Sequence, residues 1–229
     1  ISAAIRDFAL MPEANILLYA GSRGDTSSDV LAYQLSDNNR DRPQRLGQLR
    51  FPRGQSQPPR KIQVSPDERI LVLSNSRNGS LLVLQRRTED SLSNRDRFPF
   101  EHVVDSGTQS APRMHLRPVN DIQFTPNSEH VVTASDDRSV GVWRVTDGAQ
   151  LIAVKRMEGH GARVNSASFL SNDGSLVISA GADRLCRFWR PENYDQNRRA
   201  LERSFGLEDL HAPQQGKSLP QQQPRDGTP

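Results

Sequence analysis

The chain has 229 residues and a formal net charge of +3, because its 30 Lys and Arg residues nearly balance its 27 Asp and Glu residues. This length allows one large domain or two small ones, and the single cysteine, Cys186, excludes an intramolecular disulfide and a cysteine-based metal cluster. No segment approaches the ~18 apolar residues that a membrane-spanning helix needs. Because the first residues, Ile-Ser-Ala-Ala-Ile, lack the pattern of a secretory signal peptide, we expect an intracellular protein, cytoplasmic or nuclear.

The basic residues are almost all arginine, and lysine occurs only at positions 61, 155 and 217. Guanidinium groups bind phosphates well, so this bias permits an RNA partner. A genome that favours arginine codons would produce the same bias. Since no dense basic run accompanies the arginine excess, the compositional explanation is favoured.

Short segments of alternating apolar and polar residues predict β-strands along most of the chain. First strands are predicted near 5–12, 62–66 and 119–126, each ending beside a proline. Strand pairs follow at 16–20 with 30–35, 70–74 with 81–85, 130–134 with 140–144, and 176–180 with 185–189. The second pair is joined by Arg77-Asn78-Gly79, a strong signal for a hairpin turn. Weaker outer strands are predicted at 46–51, 101–104 and 150–155, so the last of four units lacks one.

The remainder of the chain is predicted to be polar loops, one helix and a tail. Surface loops are expected at 36–60, 86–99 and 105–114, which are rich in polar residues and proline or serine. Residues 191–204 favour a helix, with Pro191 near its start and Gly206 beyond its end. We expect 191–211 to form a helical extension that docks on the domain, binds a partner or is solvated, and 212–229 to be disordered.

For three histidines and the cysteine we expect structural roles, not metal binding or reactivity. His102, His130 and His211 show no metal-ligand spacing, and we expect them to be solvated surface residues. Cys186 lies in a predicted strand beside Leu185, and we expect a small packed residue there rather than a reactive thiol.

Two units carry the same constellation of polar and aromatic residues at the same spacing. Each contains a His, then a Ser or Thr four residues before an Asp, and a Trp six residues after that Asp. These residues are His115, Thr133, Asp137 and Trp143 in one unit, and His160, Ser179, Asp183 and Trp189 in the other. Self-similarity at a period of about 45 residues indicates a repeat architecture.

This pattern resembles the WD-repeat family, whose unit is a four-stranded β-propeller blade with GH and WD signatures. The resemblance covers roughly residues 1–190 and is strongest over 115–190. Gly-His occurs only at 159–160, and both closing dipeptides are Trp-Arg instead of Trp-Asp. The resemblance implies an all-β fold with about four blades, at about 1–55, 56–105, 112–156 and 157–190. Because seven blades are usual in the family, we expect the C-terminal part of a larger ring; a half-ring that pairs with another chain and a small ring are the alternatives.

The resemblance also implies that the repeated His, Ser or Thr, Asp and Trp residues form a buried hydrogen-bond network in each blade. Ser, His and Asp are also the components of a nucleophilic triad. The set recurs with a Trp at blade spacing, however, and no Gly-x-Ser-x-Gly motif is present. We therefore expect no enzyme activity, no metal site and no cofactor.

In the WD-repeat family, partners often bind at one rim of the propeller, beside the first strand and before the turn aspartate. The corresponding residues here are Arg6, Arg60, Arg77, Arg117, Asn120, Asp136, Arg163 and Asn165. An arginine-rich rim suits an acidic peptide, a phosphopeptide or RNA, because guanidinium groups form strong paired hydrogen bonds with such anions. Ordinary solvated turns are the alternative interpretation.

The leading functional hypothesis is a non-catalytic scaffold, a propeller subunit that binds other proteins in a multiprotein complex. One alternative is an RNA-associated subunit of a ribonucleoprotein, for example in ribosome assembly, although aromatic residues suited to base stacking are scarce. Another is a substrate-recognition subunit of a ubiquitin ligase. We expect no membrane partner and no small-molecule substrate.

Overall fold

The computed structural model describes residues 4–22, 28–36, 42–50, 59–87, 98–102 and 114–193. The chain divides into a first unit, residues 1–192, and a second unit, residues 193–229. Of the second unit only Asn193 is described, as the end of one 3-10 turn, Pro191–Asn193. The rest of the predicted helix and the predicted disordered tail lie outside the described residues. Among the described residues, no helix has the length and apolar character needed to cross a membrane.

The described residues form four antiparallel sheets, each made of strands that follow one another along the chain. The first sheet contains β1 (Ala4–Met11), β2 (Ile16–Ser22), β3 (Ser28–Gln34) and β4 (Gln44–Arg50), and the second contains β5 (Ile62–Val64), β6 (Ile70–Ser74), β7 (Leu81–Arg86) and β8 (Phe100–His102). The third contains β9 (Val119–Phe124), β10 (His130–Ser135), β11 (Ser139–Val145) and β12 (Leu151–Glu158), and the fourth contains β13 (Val164–Phe169), β14 (Val177–Gly181) and β15 (Cys186–Trp189).

The sheets confirm the all-β prediction and the predicted strand pairs. All four pairs are antiparallel, from β2 with β3 in the first sheet to β14 with β15 in the fourth. The fourth sheet has three described strands, and β15 is the outermost of these. The last strand of the third sheet runs to Glu158, beyond the boundary that we placed at residue 156.

The predicted hairpin between β6 and β7 is present, but its Asn-Gly turn has an unexpected role. Neither Asn78 nor Gly79 is among the described residues with a left-handed φ, so this is not the type I′ turn that Asn-Gly usually forms. A Cβ at Gly79 would lie 2.2 Å from the backbone oxygen of His115, which leads into the third sheet. Glycine is therefore required by the close approach of two backbones.

The sheets pack on one another through their first strands, because β1 contacts β5, β5 contacts β9 and β9 contacts β13. This packing buries the same apolar position on the first strands of the second, third and fourth sheets. Ile62 and Ile122 are fully buried there, and Ala167 is 2% exposed. The equivalent residue of the first sheet, Phe8, is 60% exposed, and Ile5 on the same strand is 65% exposed. The preceding sheet covers this face in sheets two to four, whereas no described residue covers it in the first.

Carboxylates on the first strands join adjacent sheets. Asp7 Oδ2 accepts the backbone N–H of Ile62 at 2.7 Å, and Asp121 Oδ2 accepts that of Ala167 at 3.3 Å. Lys61 stands at the equivalent position of the second sheet, and its Nζ lies 3.5 Å from Asp7 Oδ1 and 3.9 Å from Asp121 Oδ1. This lysine therefore links the first, second and third sheets.

A second link joins the turns that follow the first strands. The Glu68 carboxylate, 1% exposed, accepts the backbone N–H groups of Glu13 at 2.7 Å and Ala14 at 3.2 Å. In the next sheet Ser128 Oγ accepts the backbone N–H of Asp67 at 3.1 Å. Each turn thus accepts hydrogen bonds from the turn of the preceding sheet.

Two interpretations of isolated residues are wrong. Cys186 is exposed, as are Leu185 (48%) and Phe188 (66%), because no described strand packs outside β15. His130 begins β10 as expected but is half-buried rather than solvated, with its ring centroid 6.5 Å from that of Phe169. The side chain of His102 and all of His211 lie outside the described residues.

Candidate functional site

The third sheet brings together the four residues of its predicted network. His115 Nε2 lies 2.7 Å from Thr133 Oγ1, which also accepts the indole N–H of Trp143 at 3.0 Å. His115 Nδ1 lies 3.3 and 3.4 Å from the two carboxylate oxygens of Asp137 and 2.9 Å from Ser139 Oγ. The His115 side chain is fully buried and that of Asp137 is 5% exposed. The group is a continuous polar chain inside an apolar sheet.

The fourth sheet repeats this arrangement with Ser in place of Thr. His160 Nε2 lies 2.7 Å from Ser179 Oγ, and the indole N–H of Trp189 donates to that oxygen at 2.8 Å. His160 Nδ1 lies 2.9 and 3.0 Å from the oxygens of Asp183. The two networks have the same bonding order, so the spacing shared by the two segments corresponds to a shared geometry.

The donors and acceptors assign the protons of the fourth-sheet network. Because Ser179 Oγ accepts the Trp189 N–H, its own hydrogen is free to donate to His160 Nε2. Nδ1–H is then the donor to Asp183. Ser179 has the partners of a triad serine, but it is 1% exposed and one of its acceptor sites is occupied by the indole. A buried hydroxyl of this kind has no approach for a substrate carbonyl.

Both aspartates are held in the charged form. Burial by itself raises the pKa of Asp137, but hydrogen bonds from His115, Ser139 and the backbone N–H of Leu116 outweigh it and hold the pKa well below its usual range. Burial also raises the pKa of Asp183. Hydrogen bonds from the N–H groups of Gly161 and Leu185 and from the His160 ring outweigh it, so the pKa lies below its usual value. Each carboxylate is an acceptor that fastens the preceding loop to the sheet.

The fourth strand of the third sheet adds a support that sequence reasoning missed. Arg156 Nε lies 3.2 Å from Ser139 Oγ, and its Nη2 lies 3.4 Å from Asp137 Oδ2. Ser139 donates to Asp137 Oδ1 through both its N–H, at 3.0 Å, and its hydroxyl, at 2.5 Å. The Asp-x-Ser turn was a visible signal for Ser139. Arg156 had none, because its contact depends on the register of β12 against β11.

Three of the eight predicted rim residues bond to one another. Arg60 Nη1 lies 3.0 Å from Asp136 Oδ2, and Asn120 Nδ2 donates to Asp136 Oδ1 at 2.8 Å. The same amide donates to the backbone oxygen of Val164 at 2.7 Å. Arg60, Asn120 and Asp136 therefore connect the second, third and fourth sheets along the rim.

Of the other five predicted rim residues, two line a cleft and three do not. Arg117 and Arg163 line a cleft of about 630 Å³ at the junction of the third and fourth sheets. Arg6, Arg77 and Asn165 are exposed but do not line this cleft.

The cleft, here called the rim cleft, also contains residues that the sequence analysis did not assign to the rim, although two of them, Asp137 and His160, belong to the predicted networks. They are Leu116, Asp137, Arg138, Arg156, Glu158, Gly159 and His160, in addition to Arg117, Asp136 and Arg163. Arg138 lies in the turn between β10 and β11 with a φ of 69°. The described residues contain no group of three or more His, Cys, Asp or Glu side chains arranged to hold a metal ion.

Comparison with known proteins identifies the repeated segments. The family model for the WD40 repeat, the WD domain or G-beta repeat, matches residues 110–144 and 152–190. A transcriptional corepressor of Arabidopsis thaliana, LEUNIG_HOMOLOG, is 30% identical over 81 residues, which is 35% of this chain and 10% of that protein. The nuclear distribution protein PAC1 of Arthroderma benhamiae is 26% identical over 135 residues, which is 58% of this chain and 29% of that protein.

A solved structure supports the same assignment at the level of the fold. The crystal structure of Saccharomyces cerevisiae Sqt1 superposes with a TM-score of 0.61 at 12% identity, covering 82% of this chain and 46% of that one. The chain therefore spans less than half the length of each of these three proteins. Together with the four sheets, the matches show that the chain carries WD40 repeats at residues 110–144 and 152–190 and forms part of a WD-type propeller.

Proposed function

We propose that this chain is a non-catalytic interaction scaffold, a propeller segment that binds other proteins and holds them in a complex. The observation that carries the proposal is a division of the polar groups. The hydroxyl and imidazole groups of the two repeated sets are buried in networks inside the third and fourth sheets, while the rim cleft presents arginine side chains to solvent.

The buried networks argue for a structural use of the serine and histidine. Ser179 and Thr133 each accept an indole N–H, and each is almost or fully inaccessible to solvent. An acyl-transfer site would also need an open position for the substrate beside its nucleophile. The recurrence of the same set in two sheets fits a stabilising element better than a single active site.

The rim has the stiffness that a binding surface needs. Asp136 is bonded to Arg60 of the second sheet and to Asn120, whose amide also reaches Val164 of the fourth sheet. Loops held in place by such links lose little conformational freedom when a partner binds. The two relatives are named as a transcriptional corepressor and a nuclear distribution protein, and neither name refers to an enzymatic reaction.

The proposal is tested by affinity purification of the tagged endogenous protein, with and without nuclease, followed by reconstitution with purified partners. We expect a set of proteins that survives nuclease treatment and forms a defined complex with the chain in light scattering. Loss of every partner on RNA digestion would favour the RNA-associated role, and recovery of ubiquitin-ligase subunits would favour substrate recognition. No protein retained above the tag control would contradict the scaffold role.

A further inference from the structure

We propose that the rim cleft binds an acidic peptide segment of a partner, with its carboxylates on Arg117, Arg138 and Arg163 and an apolar side chain on Leu116. The inference rests on the proposed scaffold function and names the chemistry of the partner at one site.

The three arginines reach the cleft from three different loops. Arg117 precedes β9, Arg138 lies in the turn between β10 and β11, and Arg163 precedes β13. All three are exposed, and no described residue forms an ion pair or hydrogen bond with any of their guanidinium groups. The cleft of about 630 Å³ falls within the range of about 300–1,000 Å³ that is typical of ligand sites.

The acidic residues of the cleft already have partners, so they do not neutralise these arginines. Asp136 is bonded to Arg60, and Asp137 is bonded within its buried network. Glu158 forms an ion pair with Arg156. The groups left for a ligand are therefore the three guanidiniums, which bind carboxylates through paired, charge-assisted hydrogen bonds.

Leu116 gives the cleft an apolar element beside this charge. Its backbone N–H donates to Asp137 Oδ2 at 2.9 Å, and the residue is 70% exposed. An apolar side chain of the ligand would bury this surface, which a purely ionic ligand would leave in water.

The composition of the cleft favours a peptide over a nucleic acid. None of the residues that line it is Phe, Tyr or Trp, and the ring of His160 is fully buried, so it has no platform for base stacking. A short acidic segment needs no such platform, because its carboxylates bind the guanidinium groups directly.

The experiment measures binding of a fluorescent glutamate-rich peptide with one central leucine to the purified full chain by anisotropy. The test variant is Arg138→Asn, and the matched control is Arg184→Asn. Arg138 and Arg184 occupy the same hairpin position in successive sheets, are exposed, and have φ angles of 69° and 64°, but Arg184 does not line the cleft. Asn tolerates this left-handed conformation, so both variants should fold alike.

We expect Arg138→Asn to weaken binding about tenfold, because one set of charge-assisted hydrogen bonds is lost. Arg184→Asn should leave the affinity unchanged, and the peptide with Gln in place of Glu should not bind. The proposal is overturned if the parent chain does not bind the peptide saturably, if both variants weaken it equally, or if a single-stranded RNA binds more tightly with the same dependence on Arg138. If partner proteins are still recovered in that case, the cleft assignment fails while the scaffold function stands.

Discussion

Trp189 donates its indole N–H to Ser179 Oγ at 2.8 Å, which places the serine hydroxyl between an aromatic ring and the imidazole of His160. The same relationship holds ten residues apart in the third sheet, between Trp143 and Thr133. We therefore expect the hydroxyl at the centre of each network to stabilise the fold, and a substitution can measure this contribution to the free energy of unfolding.

Replacing Ser179 with Ala should lower the free energy of unfolding by about 1–3 kcal/mol, because the Trp189 N–H and His160 Nε2 would be left buried without a partner. Ser168→Ala is the matched control, since Ser168 is exposed in the same sheet and should change stability by less than about 0.5 kcal/mol. Chemical denaturation measures both. Equal stability of the two variants would show that the network contributes nothing.

Gly141→Ala should destabilise the third sheet by about 1–3 kcal/mol through overpacking. A Cβ at this position would lie 2.4 Å from Met114 Sδ and 2.7 Å from Thr133 Oγ1. Gly148→Ala provides the control, because the nearest heavy atom would be 4.0 Å away. A Gly141→Ala protein that melts at the parent temperature would mean that the network tolerates displacement.

The low pKa of Asp137 predicts a loss of stability in acid. Its folded-state pKa lies below the unfolded value of about 3.9. The stabilisation is therefore fully present above the unfolded pKa and is lost as the pH falls through the folded pKa. We expect the free energy of unfolding to decrease as the pH drops below about 5, and Asp137→Asn to flatten this decrease.

Denaturation at several pH values measures how the free energy of unfolding depends on pH. Asp147→Asn is the control, because Asp147 is exposed. The control should retain the slope of the parent chain. A slope that is identical in Asp137→Asn would show that other groups govern the acid sensitivity.

Burial on the first strands predicts a contrast between equivalent positions. Ile122→Ala should cost roughly 2–5 kcal/mol, because it opens a cavity between sheets. Phe8→Ala should change the stability of this chain by less than about 0.5 kcal/mol, because Phe8 is 60% exposed. A large loss at Phe8 would indicate that this face is covered in solution.

Local patterns were sufficient to predict much of the fold. Alternation placed the strand pairs, and the spacing of His160, Ser179, Asp183 and Trp189 placed four residues that the structure brings into one network. Those signals lie within one sheet, where residues meet through short turns and fixed strand register.

Features that depend on contacts between sheets were not predictable in the same way. The rim positions of Arg60, Asn120 and Asp136 were chosen by resemblance, but their mutual bonds depend on how sheets pack. Arg138 was not identified from the sequence, because a turn residue can be recognised as part of a cleft only when the positions of the surrounding loops are known. The exposure of Cys186 has the same origin, since it depends on whether another strand lies outside β15.

The most direct test of the scaffold account is a nuclease-treated affinity purification that compares the parent chain with Arg138→Asn and Arg184→Asn. The account predicts that the parent and Arg184→Asn recover the same proteins, and that Arg138→Asn loses those that carry acidic segments. Recovery of no protein by the folded parent chain would contradict the account.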